Sequence, residues 1–264
     1  SIETAWQSSQ SAAEYQSNVA LIKDQIAAGD IYQVNLCRVI SADCDQGLQG
    51  LANKLQLENP APYASYFKLP DLEIASASPE LFLDRQGDLI KSTPIKGTSA
   101  TEEFGEKDRA ENVMIVDLMR NDFGSICESG SVDVPRLLAT QAHPGLFHLV
   151  SDVTGRLRTS IGWDEIAKAL LPAGSISGAP KSSALKTIAK LEKIPRGPYC
   201  GVIGWVEGDQ AVLSVAIRVF WSVNDGKIHF GTGAGITWAS DAKSEWDETE
   251  LKANRLISIA SGKI

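Results

Sequence analysis

Two hydrophobic periods interleave along this chain, and they never settle into a strict strand–helix alternation. Between Ser11 and Gly29, Tyr15, Val19, Ile22 and Ile26 recur at helical spacing, with Ser11 placed to cap the start and Gly29 to end it. The next stretch, IYQVNLCRVI, alternates in strand fashion, Ile31, Val34, Leu36 and Val39 against Tyr32, Gln33, Asn35 and Arg38. A short helix over 47–58 ends at Asn59-Pro60, and over 63–91 short apolar runs broken by Pro-Asp, Ser-Pro-Glu and Gln-Gly-Asp predict a meander of strands. Further helices are predicted over 106–119, 163–171, 180–192 and 241–261. VDVPRLL, LFHLVSDVTGRL and the stretch 201–230 read as strands. Hairpins mixed with helices in this way predict an α+β fold with large, mostly antiparallel β-sheets flanked by helices. No repeat or linker divides the chain, so one domain over 1–264 is expected.

Composition narrows the class of function. Acidic residues outnumber basic ones, 33 to 25, for a formal charge of −8, and no run of Lys and Arg is present. Such a chain is ill suited to gripping a phosphate backbone or an anionic membrane, so neither nucleic acid nor membrane is an expected partner. No apolar stretch approaches the roughly 18 residues of a membrane span, and SIETAWQSSQ lacks the basic and apolar regions of a signal peptide. Cys37, Cys44, Cys127 and Cys200 form no CxxC pair, which fits reduced thiols and a cytoplasmic location.

Certain polar residues sit where pattern alone does not explain them. Glu111 shares a helical stripe with Met114, Ile115 and Leu118; a carboxylate there requires a cation, a metal or a proton, and Arg109 or Arg120 is the simplest partner. In SEWDETELK, Glu245, Glu248 and Lys252 share one helical face, continued by Arg255. That arrangement is either a solvated, ion-paired face or one side of an oxygen-ligand Mg²⁺ site. Lys96 lies in STPIKGTSA, bracketed in a turn by Pro94 and Gly97; an amine held neutral by apolar surroundings acts as a nucleophile. The GTGAG run at 231–235 and GSISGAPK at 174–181 both offer small residues whose backbone N–H groups could approach an anion.

Together these segments resemble the chorismate-utilising enzymes: the component I chains of anthranilate synthase and aminodeoxychorismate synthase, isochorismate synthase and salicylate synthase. GDIYQVNL, SPELF, PIKGT, DRAENVMIVDLMRND, HLVS, PAGSISGAPK, GPYCGVIGW, AIRVF and GTGAGI…SEWDETELKANR occur in the family's order between Gly29 and Arg255. The resemblance implies that Glu111 and Glu248 bind Mg²⁺, with Glu245 acting through the metal's water. It implies that Tyr199, Arg218, Gly233 and Lys252 bind the carboxylates of chorismate, that Thr98 and His148 line the same pocket, His148 among the catalytic residues, and that Glu80 is the acid beside the departing 4-hydroxyl.

Two positions select a branch. Isochorismate and salicylate synthases carry a water-activating Lys where this chain has Gln33, a substrate-pocket residue that is not basic. Anthranilate synthases usually read PIAGT where this chain reads PIKGT, and that Lys resembles the covalent nucleophile of the aminodeoxychorismate synthase branch. The implied reaction is Mg²⁺-dependent amination of chorismate by ammonia at ring carbon 4 through a Lys96 adduct. A class I glutamine amidotransferase subunit is the implied ammonia source, since the chain has no nucleophile-elbow Cys of its own. The family's N-terminal domain, tryptophan-binding in some members, is expected to be absent. The rival readings are anthranilate formation by the same fold and a non-catalytic chorismate-binding module.

Overall fold

The computed structural model describes residues 5–143 and 146–261. In chain order the elements are β1 (Gln7–Ser8), α1 (Ala12–Ala27), β2 (Gln33–Asp43), α2 (Gln49–Glu58), β3 (Tyr63–Leu69), β4 (Leu72–Ser78), β5 (Leu81–Gln86), β6 (Leu89–Thr93), β7 (Ile95–Ser99) and α3 (Glu106–Ile126). There follow β8 (Asp133–His143), β9 (Leu146–Arg156), α4 (Trp163–Leu170), a 3₁₀ turn (Gly174–Ile176), β10 (Gly178–Ala179), α5 (Lys181–Leu191), β11 (Val202–Glu207), β12 (Gln210–Val215), β13 (Val219–Ser222), β14 (Lys227–Ile236) and α6 (Ala242–Ser261). The fold is α+β, as the patterning predicts. Helix α3 runs past its expected end at Met119, because Phe123 and Ile126 continue its buried stripe through the polar Arg-Asn-Asp. Among the described residues no helix is long and apolar enough to cross a membrane.

The chain forms two compact units. One comprises Ser1–Pro79, Ile176–Gly201 and Ala216–Ile264, the other Glu80–Ser175 and Val202–Val215. Each holds a seven-stranded antiparallel sheet among the described residues. The first sheet runs β1-β2-β14-β13-β4-β3, with β10 also on β2; the second runs β11-β12-β5-β6-β9-β7, with β8 also on β9.

In the first unit, Tyr15, Val19 and Ile22 of α1 pack with Val34 and Leu36 of β2, Ala234 and Ile236 of β14, and Ala184 and Ile188 of α5. A second cluster joins Leu55 of α2 and Ala253, Leu256 and Ile259 of α6 to Ile40, Phe220, Ile228 and Phe230 on the sheet. Strand β2 is buried along nearly all its length, its polar residues included. Arg38 donates from Nε to Thr249 Oγ1 at 3.0 Å, and its guanidinium lies 4.1 Å from the Trp246 ring centroid.

Side chains complete one edge of β2. Strand β10 pairs with Gln33 and Val34, and β1 with Ile40 and Ser41; among the described residues no strand covers the edge between them. There the Cys37 N–H donates to Glu192 Oε1 at 2.9 Å, and the Asn35 carbonyl accepts from Arg196 Nη2 at 2.8 Å. The Cys37 carbonyl accepts from Gln10 Nε2 at 3.2 Å. Glu192 and Arg196 bind each other through two contacts, 2.7 and 2.6 Å, and Arg196 Nη1 donates to Ile176 O at 2.8 Å. Backbone groups buried at a strand edge need such partners, and a bidentate guanidinium–carboxylate pair supplies both a donor and an acceptor.

With side-chain exposures of 16% and 7%, the Arg196–Glu192 pair is largely out of water. Removing one partner strands the other charge. Glu192→Ala is therefore expected to lower the unfolding free energy by about 3–5 kcal/mol in a urea titration. Glu192→Gln, which keeps an acceptor for the Cys37 N–H, should lose less; equal stability of Glu192→Ala and the parent would show the pair to be dispensable.

Candidate active site

In the first unit, β2 and β14 pair in register. Cys37 lies opposite Gly233, and Asn35 opposite Gly235. The sequence marks GTGAG as a run whose backbone N–H groups could approach an anion; the structure places it inside β14, paired with β2 throughout. Its glycines answer to close packing instead. A Cβ on Gly233 would lie 2.7 Å from Cys37 Sγ, and one on Gly231 would collide with the Tyr199 ring. Tyr199 itself is buried, and that burial, beside the Cys37 and Cys200 thiols, pushes its phenol well above the ordinary range.

Gln33 begins β2 opposite Ala179 and is fully buried. Neither its Nε2 nor its Oε1 has a hydrogen-bond partner among the described residues. A buried amide without partners costs about 1–3 kcal/mol, which makes the position a functional candidate. GSISGAPK is a 3₁₀ turn followed by β10 and the start of α5, with no room for a side chain at Gly178, where a Cβ would strike the Gln33 carbonyl.

On α6, Glu245 is 2% exposed and shares the buried stripe with Thr249 and Ala253. Glu248 stands nearer solvent and pairs with Lys252 at 2.6 Å, so the i,i+4 support expected of a solvated face is present. Lys252 also donates to the Gly233 carbonyl at 3.1 Å, tying the helix to the glycine strand. Arg255 donates to the Glu58 carbonyl at 2.9 Å. Arg218 is half-buried in a left-handed conformation, φ 52°, and its carbonyl accepts the Ala77 N–H at 3.0 Å. A non-glycine residue there is strained, a feature that clusters at functional positions.

The second unit holds Glu80, Lys96, Thr98, Glu111 and His148. Lys96 does not lie in a turn. It sits within β7, where the pairing with β9 shifts register between Ile95, opposite Val150, and Thr98, opposite His148. One extra residue on β7 makes this a β-bulge, which re-aims the side chains it carries. Gly97 permits it with φ 89°, and a Cβ there would press on Asp108 Cβ at 3.0 Å and Leu149 Cβ at 3.3 Å. Thr98 Oγ1 and His148 Nδ1 lie 3.2 Å apart, with His148 buried and Thr98 exposed. Glu80 is 4% exposed and accepts from Ser175 Oγ at 2.9 Å, a contact the sequence did not flag.

The stripe assigned to Glu111 is displaced by one residue. The buried centre of α3 is Asn112, Ile115, Val116, Met119, Phe123 and Ile126, with Glu111, Met114 and Leu118 half-buried on its flank. Lys107, one turn back, brings Nζ to 3.8 Å from Glu111 Oε1, whereas Arg120 engages Asp117 at 2.9 Å. Asn112 was therefore the missed residue; its spacing of three, four and seven to Ile115, Val116 and Met119 was the available signal.

As possible metal ligands, Glu111, Glu245 and Glu248 offer oxygen alone. Among the described residues no group of three or more His, Cys, Asp or Glu is arranged to hold a metal. A hard cation such as Mg²⁺ takes one or two carboxylates and fills its other positions with water and substrate, so the donor chemistry fits.

Comparison with known proteins places the chain in a family. The family described as chorismate binding enzyme matches residues 1–258. Aminodeoxychorismate synthase component 1 of Salmonella typhimurium is 36% identical over 97% of this chain and 59% of its own length. An anthranilate synthase component 1 of Haloarcula marismortui is 34% identical over 97% of this chain and 55% of its own. Among solved structures, anthranilate synthase component I from Streptococcus pneumoniae superposes with a TM-score of 0.88 at 32% identity, covering 96% of this chain and 59% of that one. The chain thus spans less than two thirds of the length of these three relatives. With residues 1–258 inside the family match, the chain belongs to the chorismate-binding enzymes.

Proposed function

We propose that this chain aminates chorismate at ring carbon 4 with ammonia, giving 4-amino-4-deoxychorismate. The single observation that carries the reading is Lys96 in the β7 bulge, an amine at a re-aimed, half-buried position on the same unit as Glu80, Glu111 and His148. Identity alone does not separate the branches, because relatives named for the two activities lie at 36% and 34%.

In this reading Arg218, Tyr199, Lys252 and the Gly233 backbone bind the carboxylates of chorismate, Arg218 by a bidentate fork. Thr98 and His148 orient the ring. Glu111 and Glu248 would hold Mg²⁺, with Glu245 assisting them; the metal would supply charge neutralisation for the ring carboxylate. Neutral Lys96 adds to carbon 2. The C1=C2 and C5=C6 double bonds move to C1=C6 and C4=C5, and the C4–O bond breaks as Glu80 donates its proton, releasing water. Ammonia then forms the C4–N bond, the double bonds return, and the C2–N bond breaks to release Lys96 as the neutral amine. The new ammonium passes one proton to the Glu80 carboxylate, restoring the acid. Gln33, buried with both amide atoms unpartnered, offers one donor and one acceptor to a small polar reactant. A class I glutamine amidotransferase would deliver ammonia in the cell, and the product would feed 4-aminobenzoate and folate synthesis.

The second reading, anthranilate formation, is favoured by the anthranilate synthase relatives and structural neighbour. Incubation with chorismate, Mg²⁺ and ammonium chloride distinguishes the two. The expected product retains the enolpyruvyl group and carries nitrogen at carbon 4; fluorescent anthranilate would overturn the reading. Chorismate binding without turnover would leave only a binding module. Lys96→Ala should lose turnover by about two orders of magnitude or more, the scale of removing a catalytic group. Intact mass without ammonia should show chorismate less water on the parent and not on the variant.

Gln33→Met keeps the volume of the side chain and removes its two orphan atoms. Its melting temperature is expected to equal or exceed the parent's while kcat falls. A drop in melting temperature with unchanged kcat would make the amide a structural element.

A further inference from the structure

Asn112 is the polar member of an otherwise apolar buried stripe on α3, and it is 1% exposed. Both ends of its amide are committed to β9. Nδ2 donates to the Leu149 carbonyl at 3.1 Å, and Oδ1 accepts from Ser151 Oγ at 2.6 Å. Ser151 Oγ in turn accepts the Leu138 N–H of β8 at 3.0 Å, and Leu138 is held in the left-handed region at φ 54°. One side chain thus fixes where a helix lies along two paired strands.

The residues on either side of these contacts are those given chemical roles above. Glu111 precedes Asn112 on the helix, and His148 precedes Leu149 on the strand. Gly97, next to Lys96, sits where any Cβ would press on Asp108 of α3 and on Leu149 of β9. Movement of α3 along β9 would therefore change the seat of the bulge that carries Lys96 and the position of Glu111 together. A leucine would fill the stripe at lower desolvation cost, but apolar packing is non-directional and leaves a helix able to slide; a doubly bonded amide does not.

We propose that Asn112 is a positioning residue that sets Lys96, Glu111 and His148 relative to one another. The proposal rests on the roles given to those residues under the proposed function. It touches no substrate and needs no new ligand. A shift of about 1 Å in a catalytic group can cost on the order of 100-fold in rate, which sets the scale of the effect.

The test compares Asn112→Asp, which puts a carboxylate oxygen against the Leu149 carbonyl, and Asn112→Leu with Met119→Ala, a control in the same stripe. For each, kcat and KM for chorismate are measured at saturating ammonium, with kcat expressed per folded molecule from the denaturation curve. Both Asn112 variants are expected to lose about 10-fold or more in kcat per folded molecule, with KM for chorismate within about threefold. Met119→Ala should lose stability and keep kcat per folded molecule. Unchanged kcat per folded molecule in the Asn112 variants, or an equal loss in Met119→Ala, would overturn the positioning role. The parent's product and Lys96 adduct report separately on the underlying reaction. Whichever ring carbon is aminated, the ratio of variant to parent kcat decides the role of Asn112.

Discussion

The guanidinium–carboxylate pair between Arg196 and Glu192 is the interaction on which the first unit's architecture rests. Strand β2 carries Gln33, Asn35 and Cys37 on the face shared with the glycines of β14, so its backbone must stay flat and paired there. Between β10 and β1 no neighbouring strand is available, and an unpaired buried edge is costly. The ion pair fills that gap with a donor and an acceptor and also anchors Ile176, at the head of the segment leading into β10. Because Arg196 precedes Tyr199 by three residues, the same pair tethers the loop whose tyrosine packs on Gly231. A pair this buried is poor evidence for net stability, since its desolvation offsets much of its attraction.

The second unit solves a similar problem with a neutral group. Its sheet carries Lys96 in a strand interior, where side chains otherwise alternate strictly between two faces. The bulge between Ile95 and Thr98 breaks the alternation, Gly97 accommodates the backbone, and Asn112 holds α3 against the strand that the bulge pairs with. In both units a polar group is buried where an apolar one would pack more cheaply, and in both it supplies direction rather than affinity.

Much of this was legible in the sequence. The helices beginning near Ala12, Trp163 and Lys181 follow from periodicity and caps, since these depend on residues within one or two turns. The motifs named the family because their order along the chain is itself sequence information. Helical spacing centres the α3 stripe on Glu111, whereas the structure centres it on Asn112: a helical wheel cannot say which of two adjacent residues faces the sheet until the sheet is present. GTGAG lies within a strand, and its glycines answer to what packs on them, Tyr199 and Cys37, from distant parts of the chain.

The sequence by itself determined the α+β class and the family, both of which depend on local pattern or motif order. Tertiary structure alone decided which polar groups are withdrawn from water, among them Gln33, Asn112 and Glu245, and that Lys96 lies in a bulge rather than a turn. Burial is a sum over contacts made by remote segments, and strand register is set by the partner strand. Neither quantity exists in a chain read one residue at a time.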